Sequence, residues 1–317
     1  MMDIAELTLA EGCRRISESR LSPTEWTEAL LDRIHHYDSA VHSFITVTAD
    51  QALATAYRIG AEIRASGMVS PIHGAPYGLK DCIETAGIRT TGHSRLFLDH
   101  VPNRSATVAR RLEEAGGILL GKHAMYELSY GGPSFDLPFP PARNPWGLDR
   151  IPGGSSSGTG AAIAAGLCPA GIGTDAGGSI RQPAAYCGIA GLKPTRGLVP
   201  HEGIIRISPS LGEAGPMAWT AEDCSLLLDV IAGTQTAQTL GRDLAGVRIG
   251  VARSFFTEAA DPDPDVVAAF DRAVGTLERL GCRTYAIDLP ALRDVDAIGR
   301  IILPPPKKLA PPSCCVL

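Results

Sequence analysis

Two short segments dominate the sequence: Gly-Gly-Ser-Ser-Ser-Gly at residues 153–158 and Gly-Thr-Asp-Ala-Gly-Gly-Ser at residues 173–179. They place Ser155 and Ser179 beside glycines, 24 residues apart, in a region with little charge. Glycine next to a hydroxyl lets the backbone turn tightly and brings N–H groups close to a substrate. Acyl transfer needs an exposed nucleophile and donors for the developing oxyanion. The segments therefore predict acyl-transfer chemistry at one of these serines.

A nucleophile elbow is an alternative interpretation of the first segment. Residues 154–158 match the G-x-S-x-G pattern, which would make Ser156 the nucleophile. Such an elbow directly follows a buried strand, whereas residues 149–152 are Asp-Arg-Ile-Pro, charged and interrupted by proline. The context disfavours the elbow.

Two nucleotide-binding patterns also occur here. Residues 153–158 have the spacing of a phosphate loop, but Thr159 stands where the lysine of that loop belongs. Residues 171–176 match a loose dinucleotide fingerprint, which requires a helix after it. Two glycines and Pro183 follow instead, so both interpretations fail on context.

A serine nucleophile needs a proton acceptor, and histidine is the usual one. The eight histidines are scattered, and none lies in a strong motif. His201 follows a proline in a predicted loop, and we expect it at the surface; His123 has no better support.

Lys80 is the other candidate base. It ends an apolar, proline-containing strand predicted at residues 72–80. A lysine buried there would favour its neutral form, because burial lowers the pKa from about 10.4. The spacing of the residues around Lys80, taken by itself, still favours a lysine at the surface in contact with solvent.

The composition is that of an ordinary globular protein. The 317 residues are 44% hydrophobic and 20% charged, and the net charge of −5 gives no reason to expect nucleic-acid binding. The amino terminus does not resemble a signal peptide, and the longest apolar run, at 161–172, is too short for a membrane span. The dispersed cysteines predict a reducing cytoplasm, with buried thiols at Cys13, Cys168, Cys224 and Cys282.

The pattern of apolar residues predicts alternating helices and short buried strands from residue 67 onward, after a helical region at 3–65. A helix start is predicted at Ser22, from the sequence Ser-Pro-Thr-Glu. This alternation indicates an α/β sheet with helices on its faces. Helices are predicted at 106–115, 161–166, 220–232 and 263–280, and strands at 118–121 and 247–251.

A series of motifs occurs in order along the chain: Gly-Leu-Lys-Asp at 78–81, Pro-Gly-Gly-Ser-Ser-Ser-Gly at 152–158, residues 173–185, Cys-Gly at 187–188, Gly-Leu-Lys-Pro-Thr at 191–195, Ser-Pro-Ser-Leu at 208–211 and Gly-Pro-Met-Ala-Trp-Thr at 215–220. Taken together, these motifs resemble the amidase signature family over roughly residues 4–300. The resemblance implies an α/β amidase-signature fold, with a mixed β-sheet core covered by helices on both faces.

The resemblance also assigns roles. Ser179 would be the nucleophile, Ser155 a bridging serine after a cis peptide bond at Gly154, and Lys80 the base behind it. The oxyanion hole would be lined by the backbone N–H groups of Ala176, Gly177, Gly178 and Ser179.

Neighbouring polar residues are expected to support this site. We expect Asp175 and Arg181 to pair and brace the loop rather than contact substrate, since buried charges are normally paired. Ser156 and Thr174 would supply supporting hydrogen bonds, and Cys187 would be structural. The resemblance implies a small-molecule amide substrate, no cofactor or metal, no direct nucleic-acid or membrane partner, and a homodimer as an alternative to a monomer.

The predicted amidase domain spans residues 1–303, with a helical part at 1–66, a catalytic core at 67–232 and an incomplete carboxyl-terminal part. Family members are usually longer, so we expect a carboxyl-terminally truncated chain. Residues 304–317 form a proline-rich tail unlike the family, and its last four residues, from Cys314 to Leu317, formally fit a prenylation box. A chance match in a truncated or frame-shifted end is the favoured interpretation.

Three functions remain open at this stage. The first is a general amidase, which residues 125–131 and 208–211 favour. The second is the A subunit of a glutamine-dependent tRNA amidotransferase. The third is a non-catalytic fragment that acts as a binding module or as a module lipid-anchored through Cys314.

Overall fold

A computed structural model describes residues 4–257, 262–290 and 292–302. The amino-terminal helices are α1 (Leu9–Ser17), α2 (Pro23–Val41) and α3 (Ala49–Ser66). Helix α2 begins where the sequence predicts: Ser22 Oγ accepts from Glu25 N at 3.1 Å, and the Glu25 carboxylate accepts from Ser22 N at 2.8 Å. This reciprocal cap satisfies N–H groups that a helix start leaves unpaired.

One strand interrupts the region predicted as helical. Strand β1 (Phe44–Val47) has the sequence Phe-Ile-Thr-Val, whose aromatic and β-branched residues favour extended backbone. It pairs antiparallel with β3 (Ile118–His123), which lies more than 70 residues further along the chain. The helical periodicity of the flanking segments hid this strand.

The central sheet has six strands in the order β1-β3-β2-β4-β6-β5. Strand β2 (Pro76–Lys80) runs parallel to both β3 and β4 (Ala170–Asp175). Strand β6 (Glu213–Ala218) runs antiparallel to β4 and to the short β5 (Ala190–Gly191). The mixed sheet confirms the predicted α/β class, and β2 and β3 confirm the strands predicted at 72–80 and 118–121.

Helices pack against this sheet through a large apolar core and two smaller apolar clusters. Helix α4 (Thr107–Glu114) lies against α7 (Ala221–Ala232), and α5 (Ser157–Ala164) against α6 (Arg181–Cys187). The core includes fully buried side chains from strands and helices alike: Leu79, Leu112, Ile118, Leu120, Ile172, Leu227 and Ile231. The four cysteines predicted to be buried, at 13, 168, 224 and 282, are buried free thiols.

Contacts divide the chain into two compact units, and the elements above belong to the first, whose described residues are 4–238. In the second unit, β7 (Arg248–Val251) pairs in parallel with β8 (Arg283–Ala286). Its helices are α8 (Arg253–Thr257), α9 (Pro264–Arg279) and α10 (Leu292–Ile302).

Asp263 caps α9, which confirms the helix predicted at 263–280, and β7 confirms the strand predicted at 247–251. The proline-rich tail with Cys314 lies outside the described residues. The domain boundaries at 66, 232 and 303 stay predictions. Across the described ranges, no helix combines the length and apolar character needed to cross a membrane.

Candidate active site

The carboxyl ends of two adjacent parallel strands bring the site together. Strand β2 ends at Lys80 and β4 at Asp175, with Gly78 opposite Gly171 in the register. Side chains at the carboxyl ends of parallel neighbours meet at one edge of the sheet, where α/β folds commonly bind ligands. A side chain at Gly78 would collide with the buried His123 ring, 2.1 Å from its Cε1 atom. Glycine is therefore required two residues before Lys80.

Lys80 is fully buried, so the alternative of a solvated lysine is wrong. Its Nζ donates to Ser155 Oγ at 2.7 Å and to Thr174 Oγ1 at 2.8 Å. Burial lowers the pKa of the Lys80 ammonium to about 8. The group can therefore lose its proton near neutral pH and accept one from the hydroxyl that it contacts.

Ser155 is held from several sides. The Gly154–Ser155 peptide bond is cis, as the family resemblance implies. Gly154 N donates to Gln182 Oε1 at 3.1 Å, and the Ser155 carbonyl accepts from Tyr126 N at 3.1 Å. A Cβ at Gly154 would lie 2.2 Å from the Tyr126 ring. These contacts fix the Ser155 hydroxyl toward Lys80.

Ser179 lies in the loop between β4 and α6, and it is partly exposed. Its carbonyl accepts from Ser156 N at 3.2 Å, which joins the two glycine-rich segments. Within the described residues its hydroxyl makes no hydrogen bond, to Ser155 or to any other group. Ser179 and Ser155 instead line one pocket, which holds about 340 Å³ of empty space with its open mouth included.

Asp175 organises the loop that carries Ser179. Its carboxylate accepts from the Arg181 guanidinium at 2.9 and 3.0 Å, so the predicted pair is present. Burial would raise the pKa of Asp175, but hydrogen bonds from Arg181 and Gly178 outweigh it and hold the pKa below its usual value. The Asp175 side chain is fully buried and Arg181 is 56% exposed, so the carboxylate is the anchor of the pair.

The same carboxylate changes the predicted oxyanion hole. Gly178 N donates to Asp175 Oδ1 at 2.7 Å, so that N–H group is occupied. The predicted set of four donors is therefore reduced to Ala176, Gly177 and Ser179, whose N–H groups have no hydrogen-bond partner within the described ranges. All three residues lie in the loop between β4 and α6.

Ser156 and Thr174 form the supporting contacts that the sequence predicts. Ser156 Oγ donates to the Thr174 carbonyl and accepts from Thr174 N, both at 3.2 Å. Thr174 Oγ1 in turn accepts from Lys80. Cys187 is buried, and desolvation raises the pKa of its thiol to about 12. Such a thiol is a poor nucleophile, in agreement with a structural role.

Sequence reasoning missed a contact between His201 and Glu213 in the pocket. His201 was expected at the surface, but its side chain is only 20% exposed, and its Nε2 lies 3.3 Å from Glu213 Oε2. Glu213 is buried, and it lies opposite Asp175 in the β4–β6 register. The signal available in the sequence was a lone acid within the apolar stretch 211–219. Among the described residues, no group of three or more His, Cys, Asp or Glu could hold a metal ion.

Comparison with known proteins identifies the family of the chain. A family model described as Amidase matches residues 25–305. The chain is 42% identical over 303 residues to the A subunit of the glutamyl-tRNA(Gln) amidotransferase of Roseiflexus castenholzii, an alignment that covers 92% of this chain and 61% of the relative. A relative in Chromohalobacter salexigens with the same name is also 42% identical, and 60% of its length is covered. The chain therefore spans about three fifths of the length of these relatives.

Two solved structures are also similar. The native peptide amidase of Stenotrophomonas maltophilia superposes with a TM-score of 0.83 at 33% identity, covering 94% of this chain and 65% of that one. The A subunit of the glutamyl-tRNA(Gln) amidotransferase of Thermotoga maritima superposes with a TM-score of 0.79 at 31% identity, covering 96% and 66%. Since a family model matches residues 25–305 and the curated relatives are 42% identical over most of the chain, the chain belongs to the amidase family.

Proposed function

We propose that this protein hydrolyses a carboxylic amide through an acyl-enzyme on Ser179. The observation that carries the proposal is the contact between the fully buried Lys80 Nζ and Ser155 Oγ at 2.7 Å. A lysine whose pKa is lowered to about 8 by burial can act as a base on this hydroxyl. The pocket shared by Ser155 and Ser179 supports the position of the reacting bond.

In the proposed reaction, protons pass along the relay from Ser179 toward Lys80 and then back toward the leaving amine. Neutral Lys80 takes the proton of Ser155, Ser155 takes that of Ser179, and Ser179 Oγ bonds to the amide carbon. The relay then reverses, the C–N bond breaks, and the leaving amine departs with the proton. Water, activated by the same relay, then releases the acyl group from Ser179.

The relay requires a hydrogen bond between the Ser155 and Ser179 hydroxyls in the substrate complex. Catalytic hydrogen bonds commonly tighten only when substrate is bound. The N–H groups of Ala176, Gly177 and Ser179 would stabilise the oxyanion, and loss of one such donor typically costs on the order of 10²–10³ in rate.

A fluorophosphonate probe, followed by peptide mapping, tests this proposal. We expect labelling of Ser179 that is largely lost in Lys80→Ala and in Ser155→Ala. Ser157→Ala is the matched control, because Ser157 is a buried serine of the same segment without a role in the relay. Labelling of Ser156, or labelling that is indifferent to Lys80, would contradict the mechanism.

A second candidate function is that of the A subunit of a glutamine-dependent tRNA amidotransferase. The observation that favours it is the 42% identity to relatives of that name. Co-purification of a partner chain and glutamine-dependent ammonia transfer would support it. Hydrolysis of simple amides by the isolated chain would count against it. The homodimer, the cytoplasmic location and the lipid-anchored module stay predictions.

A further inference from the structure

Cys82 is a fully buried thiol beside the active site that the proposed reaction does not use. It lies two residues after Lys80, just beyond the end of β2. Its Sγ atom is 3.8 Å from Thr174 Oγ1, within hydrogen-bond distance for sulfur. The same Thr174 Oγ1 atom accepts a hydrogen bond from Lys80 Nζ at 2.8 Å. The thiol therefore contacts the base of the proposed relay through a single hydroxyl.

These contacts join Cys82, Thr174, Lys80 and Ser155 in one chain of hydrogen bonds. Within the described residues, the Thr174 hydroxyl contacts only Lys80 Nζ and Cys82 Sγ. In the same part of the chain, Lys80 Nζ contacts only the hydroxyls of Ser155 and Thr174. Because a hydroxyl has a single hydrogen to donate, the partner that receives it decides how the other groups can act.

The relay requires neutral Lys80 to keep its lone pair for the hydrogen of Ser155. A hydroxyl can either accept a hydrogen bond from a neutral amine or donate one to its lone pair. If the Thr174 hydroxyl donated to Lys80, it would compete with Ser155 for that lone pair. When Cys82 Sγ receives the hydrogen of Thr174, Thr174 Oγ1 can act toward Lys80 only as an acceptor.

From these observations we propose that Cys82 is a positioning residue for the base. Its sulfur accepts the hydrogen of the Thr174 hydroxyl, which leaves the lone pair of neutral Lys80 to Ser155. Cys82 acts through Thr174 and touches none of the reacting atoms. This inference rests on the proposed function, because it assumes that Lys80 takes the proton of Ser155. The family motif at residues 78–81 ends before Cys82, so the resemblance assigns this thiol no role.

The surroundings of Lys80 give the effect of the thiol a definite sign. Burial lowers the pKa of Lys80 to about 8, while the nearby Cys82 and Asp175 act in the opposite direction. Loss of the thiol should lower this pKa further, because Cys82 no longer raises it and the released Thr174 hydroxyl can donate to the neutral amine. A change that merely let water reach Lys80 would raise the pKa, since water favours the charged form. The direction of the shift therefore separates a positioning role from a structural one.

Rates of fluorophosphonate labelling between about pH 6 and pH 10 test the inference in Cys82→Val, whose side chain accepts no hydrogen bond. We expect the plateau at high pH to fall roughly two- to tenfold, as for a coupling between residues in contact, and the midpoint to move to lower pH. Cys82→Ser should keep the plateau and the midpoint, since its hydroxyl can accept the same hydrogen. Cys13→Val is the matched control, because it makes the same change at a buried thiol of α1, and it should alter neither.

A double-mutant cycle tests whether Cys82 acts through Thr174. The hydroxyl is absent in Thr174→Val, so addition of Cys82→Val should then lower the plateau less than about twofold. Cys82→Ala, which also lacks an acceptor, repeats the cycle without the added bulk of valine, and urea unfolding shows which variants fold. The inference is wrong if loss of the thiol leaves the plateau and the midpoint unchanged, if it raises the midpoint, or if the plateau falls equally without the Thr174 hydroxyl.

Titration of the Lys80 side chain by NMR separates this inference from the proposed function. The ¹³Cε resonance of Lys80, assigned by its absence in Lys80→Met, should titrate at lower pH in Cys82→Val than in the unmodified protein. Labelling of Ser179 that requires Lys80, with no response to Cys82→Val in either measurement, would leave the amidase proposal intact and remove the role of Cys82. A lowered pKa of Lys80 in Cys82→Val, without labelling of Ser179, would retain the effect of Cys82 on Lys80 and remove the proposed nucleophile.

Discussion

Lys80 and Lys122 are both fully buried on adjacent parallel strands, and their ammonium groups have different partners. Lys122 Nζ lies 3.5 Å from Asp81 Oδ1 and donates to the Ile83 carbonyl at 2.7 Å. Lys122 Nζ also donates to the Thr90 hydroxyl at 2.7 Å, whereas Lys80 Nζ donates to the hydroxyls of Ser155 and Thr174. A buried ion pair fixes a charge in place, whereas a buried amine among hydroxyls can exchange its proton. We therefore expect separate roles for the two lysines, structural for Lys122 and reactive for Lys80.

Replacement of each lysine by methionine should separate these roles. Lys80→Met keeps the apolar stem, and we expect a folded protein whose rate of fluorophosphonate labelling falls about 10²–10⁴-fold through loss of the base. Lys122→Met leaves Asp81 buried without its cation, which should lower the free energy of unfolding by about 3–5 kcal/mol. Urea unfolding and labelling kinetics measure both. An equal loss of stability in the two variants would contradict the assignment of separate roles to the two lysines.

The labelling rate should depend on pH through Lys80. The base must be neutral, and burial lowers the pKa of Lys80 to about 8. The rate should therefore rise about tenfold per pH unit below pH 7 and level off above about pH 9, as expected for a base with this pKa. Stopped-flow labelling across this range measures the profile. A rate that falls as the pH rises from 7 to 9 would exclude a neutral amine as the base.

Asp175 and Arg181 should contribute unequally to the stability of the loop that carries Ser179. Asp175→Asn removes the charge from a buried group that receives several N–H donors, and we expect a loss of about 1–3 kcal/mol in the free energy of unfolding. Arg181→Gln should cost about 1 kcal/mol or less, because more than half of that side chain is exposed. Denaturant titration of both variants, monitored by tryptophan fluorescence, compares them. A larger loss for Arg181→Gln would overturn this assignment of the anchor.

Gly154→Ala tests the close approach of the Tyr126 ring. The added Cβ would lie 2.2 Å from the ring, so the ring or the backbone before Ser155 must shift. We expect destabilisation of about 1–3 kcal/mol, typical of overpacking, together with slower labelling of Ser179. Gly132→Ala is the control, since no atom lies within 4 Å of its added Cβ. A Gly154→Ala variant with unchanged stability and labelling would show that the ring does not constrain this segment.

Several elements could be predicted from the sequence because they depend on local chemistry. The Ser22 cap, the proline at the start of α2 and the helix at 220–232 follow from short-range signals. Strand β1 could not be found in this way, because its partner β3 lies far along the chain. The partial burial of His201 was missed for a similar reason: it contacts Glu213, which lies on β6 where that strand pairs with β4.

The sequence by itself determined the family, the α/β class and the identity of Lys80, Ser155 and Ser179 as candidates, because motif order and glycine spacing are written along the chain. Only the tertiary structure decided their chemistry. Lys80 and Ser155 are 75 residues apart, and both the hydrogen bond between them and the lowered pKa arise from burial at a shared sheet edge. The same folding occupies Gly178 N with the Asp175 carboxylate. Contacts between distant segments set these properties.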